Sequence, residues 1–364
     1  MSELNLLIIE DEESQLLLYS DAIDIFNKGS DVKIVKKICK NFDEGRQALI
    51  SPVFDAAIID LKLSSSEDLE GRKLVESVYN KIRVPIFIVS GSISQIDDIP
   101  ENALLKKKLR TEKMPLILSE IVSVYNTGIT SFLRPNGIID QKLSEIFWMN
   151  LSTDLTPWIK HNNKKTLLRY ILAHFQEHLE INIEGDFEDY HPSEVYIKPP
   201  IKTNIHTGDL LKIDSQLYLV LTPACDIVIQ KYEMLEGGVK KPVRKAEWIV
   251  LAKVIDFDLN LFCLDKNKKI DKNLIHQYVR NNNYRYHFLP PLGKTNGFLI
   301  DFQSLSSVVM PTSPERIASI SSPFIKDIIS RFSSYYSRQG QPTFGQNEII
   351  ETLYKGTLKE SLPK

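Results

Sequence analysis

Apolar and polar positions alternate in blocks along the first 125 residues. Residues 4–9 form a buried-strand pattern, and residues 13–26 follow with apolar positions at helical spacing. Residues 32–38 are strand-like, 42–50 helical, and 56–59 a third short apolar run. Residues 71–79 read as a helix, 85–89 as a fourth strand, 103–105 as a short fifth and 115–125 as a closing helix. Short apolar runs separated by amphipathic helices predict βαβ units, and hence a parallel sheet covered on both faces. Chemistry in such a sheet gathers at the carboxyl ends of its strands.

The texture then changes twice. Over residues 138–180 apolar positions recur every three to four residues: Ile138, Ile139, Leu143, Ile146, Phe147 and Leu151, then Leu167, Leu168, Ile171, Leu172 and Phe175. The break at 155–158 (LTPW) divides this into two helices. Beyond about residue 190 the pattern is strand-like. Residues 210–213 and 217–221 flank the turn Asp214-Ser215-Gln216 and predict a hairpin. Residues 248–254 and 260–264 predict a second hairpin, and 284–289 and 298–309 two further strands. Short strands at this spacing indicate a small barrel or sandwich. A closing helix is expected with Ile317, Ile320, Phe324, Ile325, Ile328, Ile329 and Phe332 on its apolar side. The tail from Gly340 is polar and expected to be partly loose.

Composition narrows the classes. A length of 364 residues exceeds what one hydrophobic core usually supports, so two domains are expected. A formal charge of -2 excludes a polybasic protein. Residues 1–125 hold 16 Lys+Arg against 21 Asp+Glu (-5), and the remainder is +3, which places a boundary near residues 126–128. Three distant cysteines, Cys39, Cys225 and Cys263, make neither a disulfide framework nor a zinc site. The acidic start MSELNLLIIEDEES has no basic n-region, and no run approaches the roughly 18 apolar residues of a membrane helix. These features predict a cytoplasmic protein without a membrane segment.

Two apolar runs end in acid. LLII leads into Glu10-Asp11-Glu12, and AAII leads into Asp60. In a parallel sheet these termini converge at one edge, where clustered carboxylates repel unless a cation lies among them; oxygen ligands favour Mg²⁺. The fourth strand ends at Ser90, and the fifth is expected to end in Lys106-Lys107-Lys108. A carboxylate, a hydroxyl and an ammonium at one rim suit a phosphoryl group.

This constellation resembles the receiver domain of bacterial two-component response regulators, a CheY-like fold, over about residues 3–125. The resemblance implies Asp60 as phosphoacceptor, with Asp11 as direct metal ligand. Glu10 would act mainly through metal-bound water, and the Lys62 carbonyl would complete the protein ligands. Ser90 and Lys107, with Lys106 close behind, would contact the phosphoryl oxygens. Mg²⁺ is the implied cofactor, and a histidine kinase or phosphotransfer protein the implied donor. The sequence departs from the family pattern at three places. No Pro follows the lysines, the loop from Asp60 to Gly71 is about three residues long beyond the usual, and GSISQIDDIPENA is too short for a full fourth helix.

The remainder carries fewer signals. Cys225-Asp226 follows a buried strand, and His206, His276 and His287 lack diagnostic spacing, so a packed structural cysteine is the expectation. The basic, Asn-rich stretch 266–285 leads into Tyr284-Arg285-Tyr286-His287-Phe288; single-stranded nucleic acid or a plain barrel strand both account for it, the strand being favoured. The order GDLLKID, strands, then RIASIS faintly resembles the SH3-like barrel of the PemK/MazF toxins, without their second-strand arginine. The expected fold is therefore α/β: a doubly wound (βα)5 flavodoxin-like receiver (1–128), a helical connector (129–185), a mostly-β barrel or sandwich with a closing helix (186–340) and a tail (341–364). The expected function is a phosphorelay response regulator whose output module binds a protein or nucleic acid, with homodimerisation open. Two alternatives stand beside it. One is a receiver-controlled enzyme effector, such as a nuclease-like barrel in stress or phage defence. The other is a degenerate receiver serving as a scaffold.

Overall fold

The computed structural model describes residues 2–51, 53–63, 70–79, 81–91, 96–153, 155–160, 164–180, 189–234, 240–293, 295–311, 314–338 and 345–360. The chain divides into two compact units, Met1–Glu188 and Asp189–Lys364.

In the first unit, strands β1 (Ser2–Ile9), β2 (Val32–Cys39), β3 (Ala56–Ile59), β4 (Ile86–Ser90) and β5 (Leu105–Leu109) form one all-parallel sheet. Their order, β2-β1-β3-β4-β5, is the flavodoxin-like one. Helices α1 (Glu13–Lys28), α2 (Phe42–Ile50), α3 (Glu70–Val78) and α4 (Met114–Tyr125) cover it. Because strand side chains alternate between faces, β1, β3 and β4 each feed two cores. Leu6, Ile8, Ile58, Phe87 and Val89 pack with Tyr19 and Ile23 of α1 and Ile117, Leu118 and Ile121 of α4. Leu7, Ile9, Ile59, Ile88 and Leu105 pack with Leu49 of α2 and Leu74, Val75 and Val78 of α3. Both faces of β1, β3 and β4 are thus dry, which is why these strands read as unbroken apolar runs. Each buried Leu or Ile contributes about 1.5–3 kcal/mol by its removal from water.

The fifth strand departs from expectation. It runs Leu105–Leu109 rather than over 103–105, because the Asn102 side chain accepts from the N–H groups of Leu104 and Leu105 and holds that stretch in a turn. The three lysines therefore lie within the strand. β5 is an edge strand, and lysines are well suited to a sheet edge. Among the described residues no α-helix lies between β4 and β5; residues 96–99 make a tight turn with Ile96 fully buried. The long loop after Asp60 falls largely on 64–69, outside the described residues.

After α4, Gly128 takes a left-handed backbone (φ 75°) and starts α5 (Ile129–Leu133). Then come α6 (Ile138–Glu145), a π-helical turn (Ile146–Leu151), α7 (Thr156–Lys160) and α8 (Lys164–Glu180). Ile129 and Leu133 line a small cavity with Val78, Ile86 and Leu105, and Arg134 lies 3.6 Å from buried Asp55, which precedes β3. The segment after α4 is thus tied to the amino ends of the strands.

The second unit holds β6 (Tyr196–Ile197), β7 (Asp209–Ile213), β8 (Gln216–Val220), α9 (Ala224–Ile227), β9 (Lys231–Met234) and β10 (Lys240–Val243). These are followed by β11 (Trp248–Asp256), α10 (Leu259–Phe262), α11 (Lys272–Val279), β12 (Tyr286–Leu289), β13 (Phe298–Val309), β14 (Glu315–Ile320), α12 (Ser322–Ser337) and α13 (Gln346–Glu360). Seven strands form one antiparallel sheet, β12-β13-β11-β8-β7-β14-β6; β9 and β10 pair separately. The sheet curls over a core of Leu210, Leu219, Ala252, Val254, Ile300 and Phe302, closed by Ile328 of α12. Its two edges meet where the Tyr196 hydroxyl donates to the Pro290 carbonyl (2.6 Å).

Four expectations change here. The β7–β8 turn has two residues, Asp214 and Ser215, both at positive φ (47° and 66°), as a twisted hairpin prefers, and Gln216 already pairs with Ile213. Residues 259–262 are a helical turn and not a hairpin strand, because Asp258 caps it by accepting from Asn260 N. Ile317 and Ile320 lie on β14, and the closing helix begins only at Ser322, where Pro323 suits a first helical turn. The tail contains helix α13; residues 341–344 and 361–364 lie outside the described residues. Among the described residues no single helix is long and apolar enough to cross a membrane.

Candidate functional site

The ladder of the parallel sheet builds the site. Beyond β1, Glu10 N donates to Cys39 O (3.1 Å); beyond β3, Asp60 N donates to Ile9 O (2.9 Å). These two bonds set Asp60 beside Glu10 at the carboxyl edge, where the strand order reverses between β1 and β3. Helix α3 closes on the same point. A Cβ on Gly71 would collide with the Asp60 carbonyl oxygen, so only glycine lets the helix approach this closely.

Glu10, Asp11 and Asp60 each offer a carboxylate oxygen, all within 4.8 Å of one another. Glu10 and Asp60 are buried and Asp11 is half-buried. Burial, and secondarily the nearby Asp60 charge, pushes the Glu10 carboxyl up to about 7, although Glu12 N donates to its Oε1 (3.0 Å). Asp60 Oδ2 accepts from Lys62 N (3.2 Å). Asp60 Oδ1 is buried and has no hydrogen-bond partner. A buried carboxylate oxygen without a donor costs free energy. The three carboxyl groups of Glu10, Asp11 and Asp60 form a hard, oxygen-only donor set of a kind that fits Mg²⁺.

The opposite wall of the rim holds a surprise. Ser90, buried, ends β4. Arg110 N donates to Ser90 O (3.2 Å), extending the β4–β5 ladder by one residue. Arg110 Nη2 then lies 3.0 Å from Asp60 Oδ2 and 3.3 Å from Glu10 Oε2, while Nη1 lies 2.8 Å from Glu12 Oε2. The cation at the rim is Arg110. The resemblance to receivers implies Lys107 or Lys106 at this position. Lys107 Nζ instead donates to Ile96 O (2.7 Å), and Lys106 and Lys108 pair with Glu120 of α4. The observed strand begins two residues later and ends four residues later than the expected 103–105, so Arg110 and not a lysine follows its end. A lysine-rich run suits an edge strand, and the residue that follows it is the arginine. Buried Tyr19 lies under this cluster, its phenol pushed well above its usual range by burial and by Glu10.

The candidates of the second unit are placed differently. Cys225 is exposed rather than packed, with its thiol 3.6 Å from Asp226 Oδ1. His206 Nδ1 contacts Lys202 Nζ (3.0 Å), and its backbone N–H donates to Asp209. Arg285 forks onto buried Asp301 (2.8 and 2.7 Å) and stacks over Tyr286 (4.7 Å). His287 is buried, and that burial pushes its imidazole down to about 3. The Asn-rich stretch is partly α11, and the Asn281 and Asn283 side chains accept from Phe288 N, Arg285 N and Tyr286 N. Local architecture accounts for these residues. Gly208-Asp209, which carried part of the toxin-barrel likeness, supplies a buried aspartate held by Arg316 Nε (2.9 Å) and Ser319 Oγ.

No protein-family model matches the chain, and no curated protein matches it. Several solved structures are similar to part of it. A CheY-like response regulator receiver domain protein from Methanospirillum hungatei JF-1 is 17% identical, over 35% of this chain and 100% of its own, with a TM-score of 0.27. A CheY-like receiver domain from Methylobacillus flagellatus is 19% identical over 33% of this chain and 99% of its own, with a TM-score of 0.26. A response regulator receiver protein from Sinorhizobium medicae WSM419 is 11% identical over 34% and 95%, with a TM-score of 0.27.

Proposed function

We propose that the first unit is a receiver that accepts a phosphoryl group on Asp60, and that the β-rich second unit is the output it controls. One observation carries the reading: Asp60, clustered with two further carboxylates, has a buried Oδ1 without a partner while Arg110 pairs with its Oδ2. The donor would be the phosphohistidine of a histidine kinase or a phosphotransfer protein. Asp60 Oδ1 forms the new bond to phosphorus as the phosphorus–nitrogen bond breaks, and the departing imidazole keeps the electron pair. Mg²⁺, held by Glu10, Asp11, Asp60 and the Lys62 carbonyl, would supply charge neutralisation for the transferred oxygens.

The chain's own groups do the rest. Lys62 N–H steadies the other carboxylate oxygen of Asp60, so Oδ1 is the free nucleophile. Ser90 and Arg110 border the place where the phosphoryl oxygens arrive, and a guanidinium suits such oxygens through its forked donors. The acyl phosphate adds charge beside Arg110, four residues before α4 begins, and so gives the output a handle. Beryllofluoride titration with Mg²⁺, followed by fluorine NMR, tests this reading. A bound fluoride signal that vanishes in Asp60→Asn supports it; no signal, or one that survives the substitution, refutes it.

A further inference from the structure

We propose that Arg110 is a built-in competitor of the divalent cation, its guanidinium holding the place between Glu10 and Asp60 that Mg²⁺ must take. This rests on the reading of Asp60 as a metal-assisted phosphoacceptor. Carboxyl groups crowded within 4.8 Å need a positive charge between them, and one is already supplied by the chain. Arg110 Nη2 alone bridges Asp60 Oδ2 (3.0 Å) and Glu10 Oε2 (3.3 Å), two of the three groups in the cluster. Its second amino group is anchored outside that cluster by Glu12 at 2.8 Å.

The geometry depends on arginine. A lysine is a single point charge at the end of a flexible stem. A guanidinium presents a rigid fork and can bind the bridging pair with one prong and Glu12 with the other. The bond from Arg110 N to Ser90 O fixes where the side chain starts, so the fork is delivered to the rim by the sheet itself. Entry of Mg²⁺ breaks the Arg110 contacts to Asp60 and Glu10, both charge-assisted and therefore among the stronger hydrogen bonds. The freed guanidinium, still rooted beside Ser90, then becomes available to phosphoryl oxygens. Metal loading and the repositioning of Arg110 are in this way one event, and without metal the chain itself offsets part of the site's negative charge.

Calorimetric titration of the full chain with Mg²⁺ tests the competition. Arg110→Ala is expected to bind Mg²⁺ about tenfold more tightly than wild type, the loss of a competing charge-assisted pair. Glu12→Gln separates competition from bulk charge. Glu12 is exposed, so its replacement leaves the fold intact, and removing its negative charge would by itself weaken cation binding. Loss of the Arg110 anchor instead predicts roughly threefold tighter binding. Mg²⁺ binding by wild type that Asp11→Asn abolishes, with no gain in Glu12→Gln, would overturn the competition while leaving the phosphoacceptor reading intact. No Mg²⁺ binding by wild type or by either variant would overturn both.

Discussion

Each unit of this protein buries an aspartate against an arginine, and the two pairs are built to opposite ends. Asp209 in the second unit is fully buried and fully satisfied. Oδ2 accepts from Arg316 Nε (2.9 Å) and His206 N (2.8 Å), and Oδ1 accepts from Ser319 Oγ. Those contacts join β7, β14 and the loop before β7, so the carboxylate acts as a rivet. Asp60 in the first unit is almost as buried, yet it has one empty oxygen and two carboxyl neighbours, and shares its arginine with them. Burial and an ion pair do not by themselves mark a functional aspartate. The difference lies in whether each carboxylate oxygen has a donor. A saturated carboxylate is architecture; a crowded one with an unpaired oxygen is the kind of group on which the proposed chemistry rests.

The contrast breaks first, and by the largest margin, in stability measurements. Asp209→Ala strands the Arg316 guanidinium and is expected to cost about 3–5 kcal/mol in urea unfolding of the second unit. Asp60→Asn relieves repulsion and leaves Arg110 paired with Glu10 and Glu12. It is expected to unfold at or above the wild-type urea midpoint. Equal losses at both positions would erase the distinction between rivet and reactive group.

A middle-sized effect is expected at Gly71. Any side chain there meets the Asp60 carbonyl, so Gly71→Ala forces α3 away from the site. The expected loss is about 1–3 kcal/mol, as for other overpacked positions, together with slower modification of Asp60. Wild-type stability with an unaltered modification rate would show that α3 does not set the acceptor's position.

The smallest effect is a pH dependence confined to the first unit. Glu10 has its carboxyl raised from 4.5 to about 7, chiefly by burial. The folded state then holds that proton more tightly than the unfolded chain, so the associated stability is present below pH 4.5 and is lost as pH rises through about 7. Glu10→Gln is accordingly expected to stabilise the metal-free protein by roughly 1 kcal/mol at pH 8 and to leave it unchanged at pH 4. Thermal unfolding at the two pH values measures this; a gain of equal size at both would mean that Glu10 is not the titrating group.

Much of the first unit was legible because its strands are dry on both faces. Runs such as LLII and AAII announce themselves, and their acidic ends are adjacent letters. Arg110 escaped because locating it depends on where a strand begins, and the Asn102 turn that delays β5 leaves little mark in hydropathy. The second unit was harder. Its strands are half-exposed, β6 has only two residues, and Ile317 and Ile320 suit a helix face as well as a curled strand. Pairs such as Asp209 with Arg316, 107 residues apart, have no local signature at all.

The central claim is that Asp60 is the group left open for phosphorylation. Intact-mass spectrometry and peptide mapping after incubation with acetyl phosphate and Mg²⁺ address it most directly. A single phosphoryl adduct on the peptide containing Asp60, absent in Asp60→Asn and absent without Mg²⁺, is the predicted result. An unmodified chain, or an adduct carried by any other residue, would contradict it.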